Sequence, residues 1–98
     1  MTISEFFHSK QALAIECPTE DQAKELLQRF DAHGYKWNNG MRYATTDNNW
    51  GYYKKDTCYS NEHTFCYRRY YELYGYTIIP YETLIDDAPA WGFYFSFK

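Results

Sequence analysis

At 98 residues, 45% of them hydrophobic and 23% charged, the chain has room for one domain with a modest core. Ten basic against thirteen acidic residues leave a formal charge of −3, which argues against a broad duplex-DNA binder. The longest apolar stretches are too short for a transmembrane helix, so no membrane partner is expected.

Taken in chain order, Met1 to Lys10 carries Glu5 and His8 and lacks the apolar run of a secretory signal. It is expected to be a flexible or added segment, and the cytoplasm is the expected compartment. Ala12 to Glu16 (ALAIE) is a short strand ending at Cys17-Pro18. Thr19 with Gln22 makes a capping box, and Glu20 and Asp21 sit where the helix dipole favours negative charge. Ala23, Leu26, Leu27 and Phe30 then form one apolar stripe, and Gly34 stands where a helix would stop. The main helix is therefore predicted over about Glu20 to His33.

Tyr35 to Trp37 reads as a second strand, Asn38-Asn39-Gly40 as a turn, and Met41 to Gly51 as a surface loop that Trp50 anchors on the core. Tyr52 to Tyr59 and Thr64 to Tyr70 read as a hairpin. Centring its turn on Glu62 sets Cys58 opposite Cys66, Tyr59 opposite Phe65 and Thr57 opposite Tyr67. Tyr70 to Tyr74 gives a helical turn, Tyr76 to Ile79 a strand, and Glu82 to Ile85 a brief helical turn. Residues 86–98 are expected as an added carboxy-terminal strand, with Trp91 to Phe97 apolar on both faces. The fold class is α+β: one domain over 1–98, a mostly antiparallel sheet of four or five strands, and one main helix on one face.

In this order the strings CPTEDQAKELLQRFDAHGYKW, NNWGYYKKDTCY and YGYTIIPYETLI resemble a group of small accessory proteins of tailed phages and prophages. In those a capped helix ending GYKW is followed by NW…YK…TCY and then by GY.II.(F/Y)E.L. The resemblance spans about Ile15 to Ile85. It implies a phage accessory gene product working in the host cell, and it supplies no catalytic residue.

Catalytic chemistry finds little support. No GxGxxG, Walker A, HExxH, GxSxG or paired CxxC occurs. Cys58 or Cys66 near His63 would suggest a thiol nucleophile with a base, but nothing marks an oxyanion hole. The same residues, with Cys17, lack the paired spacing of a zinc site, and a cross-strand cysteine pair accounts for them more simply. No enzyme activity, metal or cofactor is expected.

The aromatic share is 22%, with twelve tyrosines, more than a core of this size requires. Tyrosine offers contact area at low entropic cost and is enriched in binding surfaces. The candidate site is basic and aromatic: Tyr52, Tyr53, Lys54 and Lys55 beside Tyr67, Arg68, Arg69 and Tyr71, at the hairpin end away from the turn. The competing account makes the four cations the solvated face of a sheet whose tyrosines alternate inward. Trp91 and Tyr94 on the last strand complete the binding set. With the phage resemblance, these residues lead to an inhibitor of a host factor, one of an anti-phage defence system, acting by stoichiometric binding. The alternative is a nucleotide or single-strand binder, arginines on phosphate and tyrosines on bases. A virion structural or assembly role is the third, and exposed aromatic strands also suggest a homodimer.

Overall fold

In the computed structural model, residues 1–85 are described. The fold builds outward from one central strand, β1 (Leu13–Glu16), whose Leu13, Ala14 and Ile15 are all buried. A strand apolar on both faces belongs inside a sheet, and β1 has a partner on each side. Antiparallel β2 (Thr57–Ser60) sets Tyr59 opposite Ile15, and parallel β4 (Thr77–Pro80) sets Ile79 opposite Ile15. Short β3 (Phe65–Tyr67) extends the edge beyond β2, giving the order β3-β2-β1-β4. The sheet is thus mixed, with one parallel pairing in an otherwise antiparallel set. The β2–β3 register is the expected one: Thr57 with Tyr67, Cys58 with Cys66, Tyr59 with Phe65.

Helix α2 (Glu20–Ala32) runs where its caps dictate. Thr19 Oγ1 accepts from Gln22 N at 3.2 Å, and Gln22 Oε1 accepts from Thr19 N at 3.3 Å. At the far end Gly34, at φ +84°, takes the left-handed turn that lets its N–H reach Asp31 O and the Tyr35 N–H reach Phe30 O. Ala23, Leu26, Leu27 and Phe30 pack on the sheet face made by Leu13, Ile15, Tyr59, Phe65 and Ile79.

The amino-terminal segment, expected to be flexible or added, forms a capped helix, α1 (Ile3–His8), with Ile3 and Phe6 fully buried. Its cause is a second capping box, Thr2 with Glu5, and a Phe6–Phe30 stack at 5.8 Å. Asn61 ties this helix to the hairpin: Nδ2 donates to Phe6 O and Gln11 O, and Oδ1 accepts from Leu13 N.

The opposite face carries Ala14, Cys58, Cys66, Tyr76 and Ile78 beneath Tyr71 of α4 (Arg68–Leu73). Two strand expectations are corrected. Tyr35 to Trp37 forms only a bridge between Lys36 and Arg42, because Trp37 turns inward onto Tyr43 and Phe65 instead of meeting a strand. The hairpin arms are shorter than expected, since Trp50–Tyr53 is a helical turn, α3, and the chain turns helical again at Arg68. The predicted last strand, with Trp91 and Tyr94, lies outside the described residues.

Trp50 anchors its loop as expected. Its indole N–H donates to Cys17 O at 3.0 Å, and the Tyr59 hydroxyl donates to Asn48 O at 2.7 Å. Asp31 holds the same loop from α2, accepting both Arg42 Nε and Nη2 and the Ala44 N–H; these bonds keep its carboxyl below the usual carboxylate range.

Candidate functional site

At the open end of the β2–β3 hairpin, α3 enters β2 and β3 runs into α4, so both helical turns gather at one end of the sheet. Between them lies an open cleft of about 470 Å³ lined by Tyr52, Tyr53, Asp56, Tyr67, Arg68, Arg69 and Glu72. Five of the ten residues singled out from the sequence therefore share one cavity. The cleft's size is within the range of ligand-binding cavities, roughly 300–1,000 Å³.

Its walls are rings in mutual contact. Tyr53 meets Tyr67 edge-on at 5.3 Å and 60°, and Tyr52 meets Tyr53 at 6.4 Å and Phe65 at 6.1 Å. The band continues through Tyr70, 6.1 Å from Tyr67, to Tyr74, 4.7 Å further on. Tyr52 and Tyr74 leave 73% and 69% of their surface in solvent, a large aromatic area for a fold this small. Next to Tyr53 in the chain stands a strained residue: Lys54 has φ +52° and ψ −124°, a conformation that favours glycine.

The charges of the cleft are partly spent. Arg68 reaches Glu16 at 2.8 Å and Glu72 at 3.7 Å, so its head is held between two carboxylates. Arg69 is exposed and makes no ion pair among the described residues. Lys54 and Lys55 are also exposed, on the 3₁₀ turn Lys54–Asp56, but neither lines the cleft.

Tyr71 does not belong to the site. It is 1% exposed, on the α4 side of the sheet, and its hydroxyl meets Thr64 Oγ1 at 2.9 Å. Burial pushes its phenol up to about 12. Helical periodicity is the reason: starting α4 at Arg68 turns Tyr71 inward while Tyr70 and Tyr74 stay on the surface.

Sequence reasoning missed Asp56, Glu72 and Tyr74; Tyr70 belongs to the basic and aromatic run that it singled out. The Arg68–Glu72 spacing of four and the tyrosines at 67, 70, 71 and 74 are helical signals that a strand reading hides.

The thiols and His63 do not assemble as a nucleophile and base. His63 stacks on Phe7 at 4.9 Å and has the Tyr43 hydroxyl at 3.4 Å, on the α2 side. Cys58 and Cys66 pack on the other face. Burial raises the Cys58 thiol to about 12 and raises Cys17 as well, the opposite of activation. Among the described residues no three His, Cys, Asp or Glu side chains converge as a metal site, and no helix is long and apolar enough to cross a membrane.

No known family, curated protein or solved structure matches this chain.

Proposed function

We propose that the protein works by stoichiometric binding of another protein, through the tyrosine cleft and the ring band that runs from it to Tyr74. The observation that carries this reading is the exposed aromatic surface: Tyr52, Tyr53, Tyr67, Tyr70 and Tyr74 touch in sequence beside Arg68 and Arg69. Tyrosine and arginine dominate interface hot spots, because each brings a large rigid contact with a polar end. That the partner is a host factor, and the protein an inhibitor of an anti-phage defence component, is supported by the resemblance to phage accessory proteins.

The test is reconstitution. A partner captured from host cells is identified, purified and mixed with the protein, and native mass spectrometry reads the stoichiometry. A defined complex that weakens at least about tenfold with Tyr52→Ala is expected, that being the loss of one hot-spot side chain. A complex indifferent to Tyr52, Tyr67 and Tyr74 together overturns the reading.

Nucleotide sequestration is the second reading, favoured by the cavity's size and by Arg69 standing beside the rings. It predicts a nucleotide released on heating the purified protein, and a thermal shift with a nucleotide panel.

A further inference from the structure

Within the protein-binding reading just given, we infer that the cleft receives an acidic segment of the partner. One carboxylate lies on the Arg69 guanidinium, and an apolar side chain lies against Tyr52 and Tyr67. Charge carries the first half of this inference. The surface around the cleft holds Lys54, Lys55, Arg68 and Arg69 against Glu16, Asp56 and Glu72, a local positive balance on a chain whose net charge is −3. The lining itself is balanced, Arg68 and Arg69 against Asp56 and Glu72, and the two lysines beside it tip the neighbourhood positive, which favours an anionic segment there.

The pairing within the cleft then sets how much negative charge it takes. Glu16 and Glu72 already hold Arg68, so Arg69 is the guanidinium of the lining with no carboxylate among the described residues. One free planar fork suits one carboxylate, which accepts two parallel N–H bonds from it. A polyphosphate would bring several charges to that single guanidinium and face Asp56 and Glu72 in the same wall. A cationic segment would find Asp56, but on a turn shared with Lys54 and Lys55. The second half rests on the rings: Tyr52 is mostly exposed and Tyr67 is 40% exposed, so both offer apolar faces beside the fork.

A heteronuclear NMR titration of the full chain tests this with three peptides of one length, in which phenylalanine alternates with glutamate, glutamine or lysine. The glutamate peptide is expected to shift the Arg69 side-chain signal and the amides of 52–56 and 67–69. It should bind at least about tenfold more tightly than the other two. Arg69→Gln, a surface change that leaves the fold intact, should abolish that preference, and raising salt from about 0.05 to about 0.5 M should weaken it. Arg69→Lys, keeping the charge without the fork, should fall between. A lysine or glutamine peptide that binds as well overturns the inference, as does a preference that survives Arg69→Gln. ATP binding through Arg69 more tightly than the glutamate peptide also overturns it, in favour of the nucleotide reading. Should the peptides fail while a reconstituted partner complex still depends on Tyr52, the acidic segment falls and the protein-binding reading stands.

Discussion

The two faces of the sheet are built to different depths. Beneath α2, Ile3, Phe6, Leu13, Ile15, Leu26, Leu27, Phe30, Trp37, Tyr43 and Tyr59 join one buried cluster, closed over by α1 and by the loop that Asp31 and Trp50 pin down. Beneath α4 the fully covered residues are Ala14, Cys58 and Tyr71, and a helix of six residues is their lid. The lid's own Leu73 and the adjoining Tyr74 face solvent. One face is organised for stability. The other keeps a single large anchor and spends its remaining aromatic surface outward, next to the cleft.

The largest effect should come from emptying the thick face. Phe30→Ala removes a ring stacked on Phe6 and packed edge-on against Phe7 and Tyr43, and should cost about 3–5 kcal/mol in urea unfolding. On the thin face Tyr71→Ala should act locally. The amides of α4 should lose hydrogen-exchange protection well before those of α2, and equal loss in both helices would erase the distinction drawn here.

Alkaline pH probes both faces together. Burial raises the phenols of Tyr43 and Tyr59 on the α2 side and lifts Tyr71 to about 12 on the α4 side. Below the ordinary tyrosine range, folded and unfolded chains hold these protons equally, so stability is flat with respect to them. Above it the unfolded chain loses them first. Stability should therefore fall as pH rises from about 10 to 12, by about 1.4 kcal/mol per pH unit for Tyr71 alone. Melting curves across that range check it, and Tyr71→Phe should flatten part of the slope.

Two smaller effects lie at the cleft. Lys54→Gly should relieve the positive-φ backbone and stabilise the fold by about 1 kcal/mol, read as a raised urea midpoint. Tyr74→Ala should change stability by less than about 0.5 kcal/mol while weakening partner binding. A large loss of stability there would mean that the band is core and not interface.

The thick face was legible in the sequence. The capping box at Thr19, the stripe from Ala23 to Phe30 and the stop at Gly34 are local signals, and the structure follows each of them. The hairpin register was equally readable, because one turn position sets every cross-strand pair. The cleft end was legible in part. Intrinsic β preference pointed the wrong way for Tyr52 and Tyr53, whereas the helical turn read at Tyr70 to Tyr74 is there and begins two residues earlier, at Arg68. The Thr2–Glu5 box is an equally local signal, but it lies in the first ten residues, outside the stretch that carries the resemblance. The cleft's tyrosines and arginines were visible by composition. That Glu16, far away in sequence, holds Arg68 could be known only once β1 and β2 were paired.

The parallel pairing of β1 with β4 has a consequence for the order of assembly. Leu13 is made early, yet its neighbour Thr77 follows the main helix, the long loop, the hairpin and α4. The central strand therefore waits, one edge open, until nearly all of the described chain exists. Contacts of such long sequence separation slow folding, because loop closure precedes their reward. A nascent chain halted after the hairpin would present β1 with that edge unpaired, and the step that completes the sheet is the arrival of Thr77 to Pro80.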